Sequence, residues 1–211
     1  MECLVCSCEC KSFRYEYADL DCYHCHSCEL IFKDPKRYET FDKQKQRYDL
    51  HENSADDKGY RAYFQKFLDF ILPQIKDTHK ALDFGCGESL LLADMLGETG
   101  IDCNYYDPIY HPNEKFQEHR YDLVTAVEVY EHLHDPMAVI SELLSVLNED
   151  GFIAIRTEFH CNSIEHFVDW YYPRDPTHIM FFTPKTFGVI ASLCNLKYIG
   201  DNGKNMLLLQ K

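Results

Sequence analysis

Apolar residues between positions 60 and 75 recur at the spacing of an amphipathic helix. Side chains three or four positions apart share one helix face. The apolar positions with this spacing are Tyr60, Tyr63, Phe64, Phe67, Leu68, Ile71 and Ile75. Proline lacks a main-chain N–H and clashes with the preceding turn, so Pro73 predicts the end of the helix. We interpret the aromatic stripe as core packing.

A short apolar run at 81–84 leads into Gly85 and Gly87, and a second helical pattern follows at 90–96. This order predicts a buried strand, a tight turn and the start of a helix. Glycine has no Cβ, so the main chain can adopt a positive φ there and a ligand can approach it closely. The first turn of the helix presents unpaired N–H groups. We expect the chain to be organised around this ligand-binding turn.

The remaining apolar runs predict an α/β fold. The predicted strands are 101–106, 121–127, 152–155, 196–200 and 206–209, and the predicted helices are 136–147 and 184–194. Asp135 and Pro136 open the first of these helices, as expected for a capping residue followed by proline. Between Asp107 and Tyr121 the chain barely accommodates a helix and another strand. We therefore predict that the third strand is shortened or missing.

Cysteine usage separates the first residues from the rest of the chain. Of eleven cysteines, seven lie within the first 28 residues. Cys3-x-x-Cys6 and Cys25-x-x-Cys28 have the spacing of two thiolate knuckles that converge on one zinc ion. Such a short segment cannot bury enough apolar surface to fold alone, so the metal would supply most of its stability. We predict a zinc ribbon at 1–36 with these four thiolates as ligands.

The choice of thiolates stays open at this point. Cys22-x-x-Cys25 is a competing knuckle. Four further residues could substitute as ligands: Cys8, Cys10, His24 and His26. We prefer Cys25 with Cys28 because the apolar run at 30–32 follows directly and can form the strand that closes the ribbon.

Charge and composition narrow the classes of partner. The net charge of -14 argues against nucleic acid and membrane surfaces, because both are polyanionic. The sequence shows no leader pattern and no apolar run near the ~18 residues of a spanning helix. These features predict a cytoplasmic chain with no membrane partner. The polar stretch at 37–54 predicts a linker between the ribbon and a larger domain at 55–211.

The stretch Asp83-Phe84-Gly85-Cys86-Gly87-Glu88-Ser89 resembles motif I of the class I S-adenosylmethionine-dependent methyltransferases, with Ser89 in place of the third glycine. An acid two residues before the first glycine would repel a dinucleotide pyrophosphate and suits a cationic or sugar-bearing ligand. The resemblance implies that the turn packs against the methionine part of the cofactor and that Asp107 holds its ribose. It also implies a Rossmann-like α/β sheet of six or seven strands whose last strand is antiparallel.

A second resemblance lies after the strand at 121–127. Glu131-His132-Leu133, then Asp135-Pro136 and a helix, resemble the type 11 and ubiquinone-biosynthesis O-methyltransferase group. The residues at 25–35 also resemble the zinc-ribbon preface of some bacterial methyltransferases.

These resemblances leave two interpretations of the loop after that strand. In one, Glu128 and Val129 contact the cofactor and His132 only holds the loop in place. In the other, Glu128, Glu131 and His132 bind a divalent ion, magnesium or a similar oxygen-seeking metal, near the acceptor hydroxyl.

The segment 161–184 is rich in aromatic residues and histidines. In the resembled family such insertions lie over the cofactor pocket, so we interpret this one as the substrate lid. Asp175-Pro176-Thr177-His178 offers a candidate general base, because an aspartate beside a histidine can raise its basicity and fix its tautomer. The predicted catalytic residues are His178, His132 and Asp175.

The resemblances imply an S-adenosylmethionine-dependent methyltransferase that methylates an oxygen or nitrogen of a small-molecule acceptor by direct displacement. Two alternatives remain. One is an RNA or protein methyltransferase that uses the ribbon for recognition, and the acidity of the chain opposes RNA. The other is a non-catalytic binding module whose ribbon contacts a protein partner.

Overall fold

The computed structural model describes residues 1–39 and 58–211, together with Lys43 and Lys45. Most of the predicted linker at 37–54 lies outside the described residues. The described strands are β1 (Lys11–Tyr15), β2 (Leu20–His24), β3 (Ile31–Lys33), β4 (Lys80–Phe84), β5 (Asp102–Tyr106), β6 (Tyr121–Val127), β7 (Leu147–Arg156), β8 (Met180–Phe181), β9 (Lys197–Asp201) and β10 (Met206–Gln210). The described α-helices are α1 (Lys58–Ile71), α2 (Leu91–Glu98), α3 (Pro136–Val146), α4 (Ile164–Asp169) and α5 (Pro184–Leu193).

The larger sheet has six strands in the order β5-β4-β6-β7-β10-β9. Strands β5, β4, β6 and β7 are parallel, whereas β10 is antiparallel to both β7 and β9. A parallel sheet is covered on both faces, which explains why β6 is almost continuously apolar. The Rossmann-like α/β sheet with an antiparallel last strand is therefore confirmed.

The connection between β5 and β6 contains only a 3₁₀ turn, Glu114–Glu118, and no strand in the described chain. Strand β5 is therefore the edge of the sheet. This confirms the predicted loss of the third strand and fixes the count at six, because the short connection cannot form a full crossover.

Helix α1 buries its apolar stripe as predicted. Phe67, Leu68 and Ile71 are buried and pack in one cluster with the apolar face of α2. Each such side chain contributes about 1.5–3 kcal/mol when it is fully removed from water. The helix ends at Ile71, two residues before Pro73. No helix in the described part of the chain is both long and apolar enough to cross a bilayer.

The N-terminal segment forms a second sheet in the order β1-β2-β3-β8. Strand β8 belongs to the region before α5, and it pairs antiparallel with β3 through Ile31–Phe181 and Phe32–Met180. The buried Lys33 also donates from Nζ to the carbonyl of Asp175 at 2.8 Å. The predicted ribbon thus shares a sheet with the predicted lid, and the boundaries 1–36, 37–54 and 55–211 remain a prediction.

Candidate active site and cysteine cluster

The glycine turn lies at the carboxyl end of β4. Gly85 and Gly87 both have positive φ, +74° and +67°. The N–H groups of Gly85 and Cys86 donate to the carbonyl of Tyr106, at 2.7 and 3.1 Å, and so tie the turn to the end of β5. A Cβ on Gly85 would lie 2.4 Å from Cγ2 of Val129, whereas one on Gly87 would meet no atom within 4 Å. Gly85 therefore permits close packing, and Gly87 leaves open space above the turn.

Asp107 lies directly after β5 and faces this turn. Its Oδ2 accepts from the N–H of Gly87 at 3.1 Å. Its Oδ1 accepts from the N–H groups of Ile109 and Tyr110 at 2.8 and 2.9 Å. An ionised carboxylate offers about four acceptor positions, so these three bonds leave capacity for a ligand hydroxyl.

Asp83 is buried at the end of β4, and its Oδ1 accepts from Oγ1 of Thr125 at 2.9 Å. Burial raises the pKa of Asp83 from 3.8 to about 7, the Thr125 hydrogen bond opposes the rise, and the charge of Asp107 adds to it. The negative charge that the motif places here is thus costly unless a positive group lies nearby.

The pH dependence of the free energy of unfolding tests whether ionised Asp83 destabilises the fold. A carboxyl with a raised pKa in the folded state holds its proton more tightly there than in the unfolded chain, so wild type loses stability as pH rises from 3.8 to about 7. Asp83→Asn retains the acceptor for Thr125 and lacks the charge. We expect its free energy of unfolding, relative to wild type, to rise by about 2–3 kcal/mol between about pH 5 and about pH 8.

Denaturant titrations of the variant and of wild type measure the difference. The control is Asp102→Asn, which changes an exposed carboxylate on β5. A difference between Asp83→Asn and wild type that does not vary with pH would contradict the raised pKa.

Glu128 directly follows β6, has a positive φ of 54° and contacts three side chains. Tyr63 of α1 donates to Oε1 at 2.5 Å, Tyr172 donates to Oε2 at 3.1 Å, and Nε of Arg156 lies 3.7 Å from Oε1. Desolvation and the neighbouring Glu131 raise the pKa of Glu128 to about 8. The sequence patterns identified Tyr63 only as core and did not indicate Arg156. The available signal was an arginine at the end of the strand beside Glu128.

Glu131 lies in a 3₁₀ turn, Tyr130–His132, and is fully buried. Its Oε1 accepts from the hydroxyl of Tyr172 at 2.6 Å. Its Oε2 has no hydrogen-bond partner within the described parts of the chain. Burial raises the pKa of Glu131. One Tyr172 hydroxyl therefore links two carboxyl groups, and its single proton can serve only one of them at a time.

Asp175 closes a local turn, and its predicted catalytic role remains a prediction. Its Oδ1 accepts from the N–H and Oγ1 of Thr177, at 2.9 and 2.7 Å, as aspartates do when they close a local turn. The carbonyl of Tyr172, not Asp175, lies 2.9 Å from Nδ1 of His178 and fixes its tautomer. Burial and the nearby His132 lower the pKa of His178 to about 3, although Asp175 opposes the shift. His178 is therefore a neutral imidazole and a weak base.

The predicted magnesium trio does not fit this geometry. The carboxylate and imidazole groups that converge to within 4.8 Å in the described chain belong to Glu131, His132 and His178. Glu128 lies outside this group, and its oxygens contact Tyr63, Tyr172 and Arg156. Magnesium prefers six oxygen ligands, and two imidazoles do not supply them.

The four predicted thiolates do converge. Sγ of Cys3 lies 3.4 Å from that of Cys28, Sγ of Cys6 lies 3.5 Å from that of Cys25, and all four sulfurs lie within 4.8 Å of one another. Four thiolates in this arrangement fit a tetrahedral zinc ion. The rival Cys22 is buried in a separate apolar cluster with Tyr15 and Phe181. Cys8, Cys10, His24 and His26 also lie outside the four-sulfur group.

Comparison with known proteins decides the family. Residues 57–199 match the family model of the methyltransferase domain. The chain belongs to this methyltransferase domain family. The residues predicted to bind the cofactor lie at three neighbouring strand ends of the methyltransferase sheet: Asp83 and Phe84 at the end of β4 with Gly85, Cys86 and Gly87 after it, Asp107 after β5, and Glu128 and Val129 after β6.

The methyltransferase domain is similar to ubiquinone biosynthesis O-methyltransferases. It is 31% identical to that of Yersinia enterocolitica over 117 residues, which is 43% of this chain and 48% of the relative. It is 28% identical to that of Shewanella sp. strain ANA-3 over 101 residues, which is 37% of this chain and 43% of the relative. The match thus covers less than half of the length of these curated relatives.

Two solved structures share the fold of the methyltransferase domain. One is a SAM-dependent methyltransferase from Archaeoglobus fulgidus, with a TM-score of 0.53 and 16% identity over 82% of this chain and 100% of that one. The other is an O-methyltransferase family protein from Burkholderia thailandensis, with a TM-score of 0.51 and 12% identity over 80% of this chain and 62% of that one. At these identities the likeness shows the fold alone.

Proposed function

We propose that this chain transfers the methyl group of S-adenosylmethionine to an oxygen or nitrogen atom of a small-molecule acceptor. The observation that carries the proposal is the glycine turn between Asp83 and Asp107 at the carboxyl end of the parallel sheet, where ligands bind in open α/β folds. The named activity of the curated relatives, O-methylation, favours a hydroxyl as the acceptor group.

In this proposal, different residues around the turn bind different parts of the cofactor. Asp107 accepts from a ribose hydroxyl, since its carboxylate has one spare acceptor position. Asp83 supplies a negative charge to the positively charged methionine part. The main chain at Gly85 and Gly87 allows close approach, and Phe84, Cys86 and Val129 form apolar walls. Glu128 closes the site from β6 and is itself held by Tyr63 of α1.

Methyl transfer requires mainly that the acceptor atom lie in line with the methyl group and that water be excluded. A cofactor of this class supplies an activated methyl group on a sulfonium. Of the predicted catalytic residues, His178 is a weak base because of its low pKa. His132 remains the candidate base, and Asp175 acts by stabilising the turn at 175–177.

The cysteine cluster belongs to a structural zinc site in this proposal, with Cys3, Cys6, Cys25 and Cys28 as ligands. The turn of the second knuckle is bound to the methyltransferase domain, because Oγ1 of Thr186 donates to the carbonyl of Cys28 at 2.8 Å. Glu29 accepts from Thr183 and pairs with Lys185 of α5. Because the cysteine cluster is attached to the domain in this way, we infer that it stabilises the lid and does not recognise RNA. The net charge of -14 also disfavours RNA binding.

Labelled cofactor tests the activity directly. The full chain is incubated with methyl-labelled S-adenosylmethionine and, separately, with the small-molecule, protein and RNA fractions of a cell extract. We expect label only in the small-molecule fraction, where mass spectrometry identifies the product. Label confined to protein or RNA would overturn the proposed acceptor class. If calorimetry detected no binding of S-adenosylmethionine, the proposed enzymatic activity would be wrong and a non-catalytic binding module would be favoured.

Asp107→Asn serves as the matched loss-of-binding variant for that assay. The substitution removes the charge and one acceptor oxygen that the proposal assigns to the ribose, and it weakens the bonds to the turn. We expect the affinity for S-adenosylmethionine to fall by about 10- to 100-fold, since a charged hydrogen bond contributes about 1.5–3 kcal/mol. Calorimetry measures the change. Asp102→Asn, which changes an exposed carboxylate on β5, should bind as wild type does.

A further inference from the structure

A buried lysine of the ribbon lies against the segment 172–179, which precedes β8. Lys33 is the last residue of β3 and is only 3% exposed. Its Nζ donates to the carbonyl of Asp175 at 2.8 Å and lies 5.9 Å from the centroid of the Phe181 ring. Burial lowers the pKa of Lys33 from 10.5 to about 8, so an ionised ammonium at this position is costly. An apolar side chain would fill the same space without that cost, so stability alone does not account for the lysine.

Lys33 binds the segment 172–179 at two points. Besides the bond from Nζ to Asp175, its main-chain N–H donates to the carbonyl of Ile179 at 3.0 Å. The N–H of Ile179 in turn donates to the carbonyl of Glu131 at 2.7 Å. Ile179 therefore connects the end of β3 to the 3₁₀ turn after β6 through two consecutive main-chain hydrogen bonds.

The same segment carries Tyr172, whose hydroxyl contacts two carboxyl groups at the ligand-binding edge of the larger sheet. Tyr172 is buried, and its hydroxyl lies 2.6 Å from Oε1 of Glu131 and 3.1 Å from Oε2 of Glu128. Tyr63 donates to the other oxygen of Glu128 at 2.5 Å. The orientation of the Glu128 carboxyl group thus depends on the position of Tyr172, and Lys33 holds the residues that follow this tyrosine.

We propose that Lys33 is a positioning residue for methyl transfer, because it holds the segment from which Tyr172 orients Glu128 relative to the acceptor. The inference rests on the proposed function, in which Glu128 closes the site from β6. Displacement of a positioning group by about 1 Å can lower a reaction rate about 100-fold. The ribbon then contributes to the rate of the reaction as well as to the stability of the fold.

Lys33→Met tests the proposal, because methionine keeps most of the apolar stem and lacks the ammonium. We expect the full chain to keep about one zinc and an unchanged circular dichroism spectrum. The amide proton of Ile179 should exchange with solvent about 10-fold faster, since the segment has lost one of its two bonds to Lys33. Hydrogen exchange measured by NMR gives this rate.

Turnover is measured with saturating methyl-labelled S-adenosylmethionine and the small-molecule fraction of a cell extract. We expect Lys33→Met to label this fraction about 10- to 100-fold more slowly than wild type, whereas its dissociation constant for S-adenosylmethionine should change by less than about 2-fold. A residue with only a structural role would not separate the rate from the affinity in this way.

Two further variants show whether Lys33 acts through Tyr172. Tyr172→Phe lacks the hydroxyl and should slow labelling by a similar factor. The double variant Lys33→Met/Tyr172→Phe should be no slower than Tyr172→Phe alone, because both changes remove the same interaction. Lys36→Met is the matched control, since Lys36 is an exposed lysine of the ribbon, and it should behave as wild type does.

The results separate this inference from the proposed function. Normal labelling by Lys33→Met, or normal exchange at Ile179, would overturn the positioning role, and so would losses that multiply in the double variant. A wild-type chain that transfers no label would instead overturn the proposed function. Should Lys33→Met fail to fold, Lys33→Gln keeps a donor of shorter reach and is expected to show the same changes to a smaller extent.

Discussion

Gly85→Ala is expected to abolish detectable binding of S-adenosylmethionine and to destabilise the fold. The added Cβ would lie 2.4 Å from Cγ2 of Val129, and the φ of +74° is unfavourable for alanine. Such strain and overpacking together cost about 2–5 kcal/mol. The turn or Val129 must shift to relieve the clash, and either shift changes the packing between the ends of β4 and β6. Calorimetry and thermal unfolding measure the two effects.

Gly188→Ala is the matched control for Gly85→Ala. Gly188 lies inside α5, has an ordinary φ, and a Cβ there would meet no atom within 4 Å. Alanine favours the helical state, so this variant should bind as wild type does and gain up to about 1 kcal/mol in stability. If Gly85→Ala bound the cofactor with normal affinity, the turn would not be the binding site.

Cys28→Ser is expected to remove the zinc and to release the N-terminal segment from the lid. Zinc contributes on the order of 10 kcal/mol to the folding of small thiolate domains, and a serine hydroxyl is a poor replacement for a thiolate. The amide protons of β3 and β8 should then exchange with solvent much faster, because the pairing Ile31–Phe181 depends on the folded ribbon. Metal analysis and hydrogen exchange measure the two effects.

Cys8→Ser is the control for that variant, since Cys8 is exposed and lies outside the four-sulfur group. It should retain about one zinc per chain and normal protection of β8. A Cys28→Ser protein that still held zinc with unchanged exchange would show that the ligand set is wrong.

The sequence patterns predicted the parts of the fold in which local preference and burial agree. The apolar spacing of α1 and the glycines after β4 each favour one local structure, so both elements were predictable. The connection between β5 and β6 is too short to contain a further strand. Strand β8 escaped prediction because two residues carry no periodicity. Its pairing with β3 depends on contacts distant in sequence, which no local pattern reveals.

The site was predictable in part for a similar reason. Motif spacing brought Asp83, Asp107 and Glu128 to neighbouring strand ends, because the carboxyl ends of parallel strands meet at one edge. The partners of Glu128 were not predictable, since Tyr63 and Tyr172 come from a helix and a loop whose orientation only tertiary packing decides. The choice between Asp175 and a carbonyl as the partner of His178 likewise depends on the local turn.

The pairing of β3 with β8 has a consequence for the order of folding. The bond from Lys33 to the carbonyl of Asp175 spans 142 residues. During synthesis the cysteine segment leaves the ribosome before β8 does, so its sheet stays one strand short until Met180 and Phe181 have emerged. Pairing β3 with β8 closes this long loop, and such closure is slow because the chain loses conformational entropy before the stabilising contacts form. The edge of β3 is therefore unpaired in the nascent chain until β8 has formed, and an unpaired strand edge is a site at which chains aggregate.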